Sequence, residues 1–460
     1  MSKKSIFLRV LVVNVVTLVL VVTSAHAQEP VTITWFCCLG TGGNEEQLAA
    51  ENQVVADFNA SQDAIELVFN VVPYESGRDT LATLIASGQS PDIVGPVGVG
   101  GSNAFNEQWL DLQPLIDSSG YDLSSYDPAL VEFYHTDAGQ VGLPFASFPV
   151  VTYDNRGLFD EAGLNYPPQE FGAPYVMPDG TEVEWNYDTV AEIAQILTVD
   201  ANGNDATMDG FDPDNIVQFG MNFQWAELRL MWTDVQPEVW YDAETNEIVF
   251  PDSWRAATQW IWDALWTYHF MPNTIYDGSA LLGTGNAFNS GTIAMAVTPL
   301  WYTCCLDNSV GNFEFDFGVV PMSPDGEYHV AIDMDTFRMT KGSAHPDEAF
   351  TALSYLLGEA VPTLAPVYGA FPARAEYQQA WVDGADTRYP FGVNWQVAID
   401  SLAYANPISV HHESNVPNWQ KARDRTQAFS GLLFGDTGAD MDIEAELDTM
   451  IADLNAILAE

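Results

Sequence analysis

One stretch, residues 142–168, constrains the fold of this chain more than any other: GLPFASFPVVTYDNRGLFDEAGLNYPP. Residues 148–153 are apolar, β-branched and aromatic side chains of the kind that fill a buried strand. Residues 154–157 are turn formers that break this run. A short helix is expected over residues 158–162, with Gly163 as its cap and two prolines beyond it that cannot continue a helix. The stretch therefore predicts a buried strand that leads directly into a short, capped helix.

Strands and helices alternate after the N-terminal segment. The pattern predicts strands at residues 31–36, 65–72 and 90–95 and helices at residues 45–59 and 78–87. This order is typical of a parallel sheet with crossover helices, in which ligands bind beyond the carboxyl ends of the strands.

The loops that follow the first and third of these strands, residues 37–44 and 97–103, are therefore expected at a ligand site. Their candidate ligand contacts are Cys37, Cys38, Thr41 and Gly98. The glycines of the first loop suggest a phosphate cradle as an alternative, but the loop matches neither GxGxxG nor the Walker pattern, and no Lys or Arg is nearby. Tight turns beside an uncharged ligand are favoured.

The N-terminus has the features of a secretory signal. Lys3, Lys4 and Arg9 precede an apolar segment at residues 10–22, and Ala-His-Ala at residues 25–27 is a cleavage motif. A retained membrane anchor is the alternative. The cleavage motif has no cysteine beside it, so a lipoprotein anchor is not indicated. No later stretch has the roughly 18 to 20 consecutive apolar residues of a membrane span. The expected location is the periplasm or the extracellular face of the cytoplasmic membrane.

The charge balance is strongly acidic. The chain has 460 residues, which favours two domains, and it carries 14 Lys and Arg against 64 Asp and Glu, a net charge of −50. Nucleic acid and anionic membrane surfaces are therefore disfavoured as partners, and a neutral or cationic ligand is favoured. The preferred explanation of the acids is a solvated surface suited to high salt or to an unusual external medium.

Several blocks of the chain, in order, resemble the extracellular solute-binding proteins of sugar-type ABC importers, the maltodextrin-binding-protein-like group. The resemblance covers residues 31–375 and is weak beyond them. The matching blocks are residues 90–95 ("SGxxPDVV"), 142–168 ("GLPY…YYNKDLFDEAGL…PP"), 216–222 ("NIVQYGF"), 288–301 ("FxxGKAAMxxxGPW"), 315–350 ("DWGVAPLP…GGDGFAISKGSKHPEEAW") and 370–374 ("GxxPAR").

The resemblance implies an α/β fold of the two-lobed, periplasmic-binding-protein-like type (class II), in which each lobe is a mixed sheet flanked by helices and the ligand cleft lies between them. It places the signal peptide at residues 1–27, the first lobe at 28–147 and 318–362, and the second lobe at 148–317 and 363–460. Residues 142–168 would carry the chain across the floor of the cleft.

Further candidate ligand contacts come from family position. Trp301 corresponds to a tryptophan that stacks on a sugar ring in family members, and the apolar face of a sugar suits an aromatic plane. Asp333 and Asp335 fall in a loop that faces the cleft, although a turn on the acidic surface is the alternative. The remaining candidates are Ser147 and Phe148 at the crossing, Trp225 after its strand, Tyr302, and Arg374, whose charge is expected to pair with a buried acid.

Residues 200–214 are rich in Asp, Asn and Gly. Asp200, Asn202, Asn204 and Asp205 offer the hard oxygen donors that Ca²⁺ prefers. The spacing echoes an EF-hand loop, but the glycine is misplaced and no glutamate closes the loop. A structural calcium site and an Asx-rich surface turn both remain open.

The four cysteines form two adjacent pairs, Cys37 with Cys38 and Cys304 with Cys305, which the resemblance places on opposite lobes. Two of the three possible pairings would bond the lobes together, and the third gives two vicinal rings. Adjacent Cα atoms are about 3.8 Å apart, below the usual range of about 4.4 to 6.8 Å, so such rings are strained, but each forms a rigid apolar platform for a sugar face. Vicinal disulfides are expected, with a bond between the lobes, free thiols or a zinc site as alternatives.

The sequence as a whole predicts a monomeric carbohydrate-binding protein that delivers its ligand to the permease of an ABC importer by hinge closure, without catalysis or a required cofactor. A polyol, polyamine or peptide ligand is the alternative within the binding class. A secreted glycoside hydrolase with paired carboxylates is the rival class, although no catalytic motif points to it.

Overall fold

The computed structural model describes residues 29–40, 42–98, 103–235, 240–307, 313–405 and 416–460. The expected signal peptide, Thr41 and part of the loop at residues 97–103 lie outside the described residues. Within the described ranges, no helix has the length and apolar character needed to cross a membrane.

The strands and helices are numbered here in chain order. The strands are Val31–Cys37 (β1), Ile65–Val71 (β2), Ile93–Val97 (β3), His135–Thr136 (β4), Gly139–Gln140 (β5), Leu143–Asn155 (β6), Tyr175–Val176 (β7), Glu182–Val183 (β8), Val199–Asp200 (β9), Ile216–Asn222 (β10), Tyr241–Asp242 (β11), Glu247–Ile248 (β12), Ile293–Pro299 (β13), Phe315–Gly318 (β14), Ile332–Met339 (β15) and Phe371–Pro372 (β16). The α-helices are Glu45–Ser61 (α1), Tyr74–Ala86 (α2), Gln113–Ser119 (α3), Pro128–Phe133 (α4), Arg156–Ala162 (α5), Tyr187–Ile196 (α6), Leu228–Val235 (α7), Asp252–Trp262 (α8), Thr274–Asp277 (α9), Pro346–Leu356 (α10), Val361–Val367 (α11), Ala375–Arg388 (α12), Gln396–Ser401 (α13), Trp419–Leu433 (α14) and Ile443–Leu458 (α15). A π-helical turn, Asp263–Thr267, extends α8, and 3₁₀ turns occur at Asn103–Gln108, Phe288–Ser290, Leu300–Cys305, Leu402–Tyr404 and Gly438–Asp440.

Local chemistry accounts for the ends of the predicted helices. Asn44 caps α1 in a reciprocal capping box, in which the Gln47 amide donates to the Asn44 side chain at 2.9 Å and the Asn44 amide donates to Gln47 Oε1 at 3.3 Å. Gly163 ends α5 with a φ of 67°, the left-handed conformation that glycine adopts without a steric penalty. The cap predicted for α5 is therefore confirmed.

The main sheet runs in the order β2-β1-β3-β15-β6-β13-β10-β9, and β14 and β16 also pair with β6. β1 is parallel to β2 and β3, as the alternation of strands and helices predicted. β6 is antiparallel to both β15 and β13, so the sheet is mixed. Together with the helices, this mixed sheet gives the two-lobed α/β architecture.

β6 belongs to both lobes. Every one of its 13 residues is buried. Residues 143–149 pair with β15 and β16 in the first lobe, whereas residues 150–155 pair with β13 and β14 in the second. The exchange of partners falls between Pro149 and Val150, two residues beyond the expected boundary at 147.

Two other lobe boundaries are corrected by the structure. The expected return to the first lobe at residue 318 is too early, because the Val319 amide donates to Pro168 O at 2.8 Å and Trp185 Nε1 donates to Val319 O at 2.9 Å within the second lobe. The return occurs at β15. The expected exit at residue 362 is also too early, because α11 packs on α1 and β16 pairs with the first-lobe half of β6.

Candidate functional site

Asp333 of β15 joins the two lobes. Its Oδ2 accepts a hydrogen bond from Trp301 Nε1 at 3.0 Å, and its Oδ1 accepts one from Arg229 Nη2 at 3.0 Å. Both Arg229 and Asp333 are buried. Burial acts to lower the pKa of Arg229, but Asp333 and Glu227 outweigh it and hold that pKa above its ordinary value. A first-lobe carboxylate therefore holds two second-lobe side chains through a charged contact shielded from water.

The end of β13 positions Trp301. Pro299 ends this strand, and the chain turns at once into the 3₁₀ turn that carries Trp301 and Tyr302. Tyr302 is fully buried, and its hydroxyl donates to Asn286 Oδ1 at 2.5 Å. This burial raises the pKa of Tyr302. Tyr302 therefore supports the site from beneath, which corrects the expectation that it faces the ligand.

Trp225 presents an open aromatic surface. Its side chain is 47% exposed, and its Nε1 donates to Gly285 O at 2.7 Å. The rings of Trp225 and Trp301 are parallel within 10°, with centroids 6.5 Å apart, and Tyr302 meets Trp225 edge-on at 5.4 Å. Two tryptophans that the sequence predicted separately thus lie together.

Sequence reasoning missed three charged residues of this site. Glu227 Oε2 accepts from Arg229 Nε at 3.1 Å, and Glu227 Oε1 accepts from Arg423 Nη2 at 2.6 Å. One signal in the sequence could have found Arg229. The chain has only 14 Lys and Arg, so each basic residue is a candidate for a specific role, and Arg229 follows the candidate Trp225 closely. The residues in contact with one another here are called the cleft cluster: Trp225, Glu227, Arg229, Trp301, Asp333 and Arg423.

The two candidates on β6 lie directly across the sheet from β15. Ser147 and Phe148 pair with Met334 and Asp333 across the sheet, and both side chains are buried. Phe148 packs within the main hydrophobic core. The expectation that these side chains line an open cleft is corrected, because both are buried within the sheet beside β15.

Gly98 and Asp335 lie side by side. The Gly98 amide donates to Leu39 O at 2.9 Å, and a Cβ on Gly98 would fall 2.2 Å from Asp335 Oδ1. A side chain at this position would force Asp335 to shift. Asp333 and Asp335 are two residues apart on one strand and so point to the same face of the sheet. The structure therefore brings these two candidates close to the cleft cluster.

Arg374 lies elsewhere in the first lobe. Its Nε donates to Ser125 Oγ at 3.1 Å, and its Nη2 contacts Glu376 at 2.5 Å. The guanidinium also lies 5.6 to 5.9 Å from the rings of Tyr121, Tyr126 and Tyr377. None of these groups belongs to the cleft cluster. The expectation that Arg374 contacts ligand is therefore corrected, and its acidic partner is the exposed Glu376 rather than a buried acid.

The four cysteines form two vicinal disulfides, Cys37 with Cys38 and Cys304 with Cys305. The first pair is fully buried, so it offers no platform to a ligand in this conformation, contrary to expectation. The second pair is half-buried. Glu51 packs against the first pair, with Oε1 3.8 Å from Cys37 Sγ, and it accepts a hydrogen bond from the Tyr368 hydroxyl.

The loop proposed to hold calcium is organised around Asp200. Its Oδ1 accepts from the amides of Asn202 and Asn204 at 2.8 and 2.9 Å, and its Oδ2 accepts from the amide of Asp212 at 2.9 Å. These hydrogen bonds lower the pKa of Asp200. Asp205 instead accepts from the amide of Thr207. Backbone amides within the loop therefore already satisfy the Asp200 carboxylate. Calcium binding stays a prediction.

The two-lobed fold is similar to that of solved substrate-binding proteins. An ABC substrate-binding protein from Listeria monocytogenes, solved with cycloalternan, superposes with a TM-score of 0.71 at 19% identity, over 94% of this chain and 99% of that one. A maltose-bound protein from T. maritima gives a TM-score of 0.68 at 16% identity, over 93% of this chain and 99% of that one. The architecture expected from the sequence is confirmed.

Sequence comparison identifies the family. The profile of the bacterial extracellular solute-binding proteins matches residues 42–361, and this chain belongs to that family. A putative binding protein from Brucella abortus is 22% identical over 317 residues, which are 66% of this chain and 67% of that protein. The family resemblance stated from the sequence blocks is thus confirmed.

Proposed function

We propose that this protein captures a carbohydrate outside the cytoplasmic membrane and delivers it to an ABC importer. The observation that carries the proposal is the exposed ring of Trp225 beside Trp301, next to buried charged groups contributed by both lobes. An aromatic plane suits the apolar face of a sugar, and arginine and carboxylate groups suit its hydroxyls. Structural relatives solved with cycloalternan and with maltose support the choice of ligand class.

The proposed mechanism is closure of the lobes around the ligand. Asp333 on the first lobe and Trp301 with Arg229 on the second are in contact in this structure. A ligand favours the closed state by as much as it binds that state better than the open one. No covalent step is needed, and the proposed cycle ends when the loaded protein, as a monomer, meets the permease.

Export belongs to the same proposal. A signal peptide at residues 1–27 would direct the chain across the membrane and leave the mature protein in the periplasm or at the outer surface. Membership of an extracellular family supports this location. N-terminal sequencing of the secreted protein tests it, and a mature N-terminus at Gln28 is expected.

The first experiment is thermal unfolding of the mature protein against sugars, polyols, amino acids and polyamines. A ligand at about 100 times its Kd adds roughly 2.7 kcal/mol to the free energy of unfolding. Stabilisation by one group of sugars that are not consumed supports the proposal. Stabilisation by polyamines alone would reassign the ligand class, and hydrolysis of the sugar would favour the glycoside hydrolase.

Replacement of the two tryptophans tests the site. Trp225→Ala and Trp301→Ala are each expected to weaken sugar binding about five- to thirtyfold, because each removes about 1 to 2 kcal/mol of stacking and apolar contact. Isothermal titration calorimetry measures the change. Tyr268→Ala removes an equally exposed aromatic ring from the second lobe outside the cleft cluster and serves as the control. Unchanged affinity in both tryptophan variants would remove this surface from the binding site.

A further inference from the structure

A cavity of about 230 Å³ opens beside Trp225 in the second lobe and is called the side cavity. Trp225 belongs to the cleft cluster and also lines this cavity, together with Asn222, Asp277 and Phe434. β10 ends at Asn222 and runs parallel to β13, which leads into Trp301, so both strands end at the same edge of the sheet. Sites that enclose a whole drug-sized ligand usually have about 300 to 1,000 Å³. The side cavity therefore suits one group of a longer ligand that the cleft cluster holds.

Two side chains of the side cavity carry oxygens that lack a hydrogen-bond donor within the described chain. Asn222 is 6% exposed, and its Nδ2 donates to Gln224 Oε1 at 3.0 Å, but its Oδ1 has no partner. Asp277 is half-buried, and its carboxylate makes no hydrogen bond or ion pair with any residue that the structure describes. A buried oxygen without a donor costs free energy. Both oxygens therefore favour a ligand group that donates hydrogen bonds.

The charges around the side cavity favour a positive group. Among the described residues that line it, Asp277 alone carries a charge. In the cleft cluster, the two arginines are matched by Glu227 and Asp333, and Asp335 lies on the same face of β15 as Asp333. Burial raises the pKa of Asp277, and a ligand ammonium group would compensate its charge. Carboxylates therefore outnumber guanidinium groups where the ligand would lie.

The backbone of Trp225 adopts a conformation that displays its ring. Its φ is 55°, in the left-handed region that residues with large side chains rarely occupy. Trp225 Nε1 donates to Gly285 O at 2.7 Å, and Thr298 Oγ1 donates to Gln224 O at 2.6 Å, so hydrogen bonds hold this conformation on both sides. Strained backbone of this kind concentrates at ligand sites. The half-exposed indole face can attract an ammonium group through its π electrons.

We propose that the transported saccharide carries an amino group, and that Asp277, the amide oxygen of Asn222 and the face of Trp225 bind this group as an ammonium in the side cavity. The inference rests on the proposed function, since it names the kind of sugar that the same cleft takes. A primary ammonium donates three hydrogen bonds and accepts none, which matches two oxygens without a donor and an aromatic face.

An amino sugar fits the site better than a polyamine does. Both carry the positive charge that Asp277 and the net charge of −50 attract. A polyamine has no ring for the neighbouring surfaces of Trp225 and Trp301, whereas the apolar face of a sugar packs on such rings. The sugar would therefore lie against the tryptophans while its amino group enters the side cavity.

Calorimetry of the mature protein tests the proposal with paired sugars. The probes are disaccharides and trisaccharides of glucosamine and galactosamine, each compared with the parent sugar of the same linkage, in which a hydroxyl replaces the amine. Spermidine is the reference for positive charge without a ring. We expect at least one aminated sugar to bind about 10 to 100 times more tightly than its parent, the range of a charge-assisted hydrogen bond, and to bind more weakly as NaCl is raised.

Variants separate the side cavity from the bulk charge of the protein. Asp277→Asn is expected to weaken binding of the aminated sugar about tenfold and to leave binding of the parent sugar unchanged, because it removes the charge and keeps the shape. Its melting temperature should not fall, since no described side chain relies on this carboxylate. Asp188→Asn makes the same change on the exposed surface of α6 in the second lobe and is expected to alter neither affinity.

The outcomes distinguish this inference from the proposed function. Parent sugars that bind as tightly as their aminated forms overturn the amino sugar and leave sugar transport standing. Binding of no saccharide, here or in the thermal unfolding screen, overturns both, whether or not spermidine binds. An amine preference that persists in Asp277→Asn, or that Asp188→Asn reduces as much, would assign the preference to bulk charge and also overturn the inference.

Discussion

At the scale of single residues, Glu51 is the most unusual ionisable group outside the cleft cluster. It is fully buried beside the Cys37–Cys38 disulfide, its Oε1 accepts from the Tyr368 hydroxyl, and its Oε2 has no hydrogen-bond partner within the described chain. Burial raises its pKa to about 7, although the hydrogen bond from Tyr368 opposes the shift. Asp154 and Asp234 are also buried, with pKa values of about 8.

These raised pKa values give the stability a definite dependence on pH. Below pH 4.5 Glu51 is protonated in both the folded and the unfolded states, so its contribution is fully present. As the pH rises through about 7, the unfolded chain has already ionised, and the folded state loses this advantage. Asp154 and Asp234 act in the same direction, so the melting temperature is expected to fall between pH 4.5 and 8.

Glu51→Gln isolates the contribution of this residue. The amide cannot ionise but can still accept the Tyr368 hydrogen bond. At pH 8 the free energy of unfolding of the variant is therefore expected to be about 3 kcal/mol higher than that of the wild type, and at pH 4 the two should match. Urea unfolding across this pH range measures the difference. Glu66→Gln on the exposed surface is the control. A constant difference at all pH values would show that Glu51 acts through packing instead.

At the scale of elements, the contact of β10 with α6 depends on one glycine. A Cβ on Gly220 would lie 1.9 Å from Ala194 O, a backbone atom that cannot move aside. Gly384, in α12, has nothing within 4 Å of the corresponding point. The two glycines therefore offer a matched pair of the same substitution with opposite expected effects.

Gly220→Ala is expected to lower the free energy of unfolding by about 2 kcal/mol or more, because the strand must move away from the helix. Gly384→Ala is expected to raise it by about 0.5 to 1 kcal/mol, since alanine is the better helix former. Chemical denaturation measures both. A neutral Gly220→Ala would mean that β10 and α6 can separate without loss of packing.

Elements were more predictable from the sequence than the contacts between them. α1 and α5 follow from periodicity and caps, and the strand in residues 148–153 follows from its side chains, because these signals are local. The cleft cluster was only half predicted: the tryptophans are recognisable by their blocks, whereas Glu227, Arg229 and Arg423 meet through folding. The π-helical turn after α8 has no signal in the composition of that segment.

At the scale of the whole molecule, Asp333 of the first lobe contacts Arg229 and Trp301 of the second, so we expect it to link ligand binding to the arrangement of the lobes. Asp333→Asn keeps the size of the side chain and removes the charge that holds Arg229. We expect the ligand-free variant to populate open lobes more than the wild type and its radius of gyration to increase. Small-angle scattering measures this change, and a saturating ligand should reverse it.

Asp453→Asn removes a surface partner of Arg425 and is the control for lost charge. An unchanged radius of gyration in Asp333→Asn would mean that other contacts between the lobes hold them closed.

The lobe boundaries differ from the predicted ones because they depend on contacts between residues distant in sequence. The chain stays with the second lobe to residue 330, and it stays with the first lobe past residue 362.

The position of β15 beside β3 also governs how the chain must be made. β3 is completed at Val97, but its partner on one side begins only at Ile332. At a synthesis rate of about 5 to 20 residues per second, the nascent first lobe exposes the hydrogen-bonding edge of a fully buried strand for about 10 to 50 s. Such an edge readily pairs with other chains. We therefore expect a holding chaperone that keeps the nascent polypeptide unfolded until residue 339 has emerged to raise the yield of this protein.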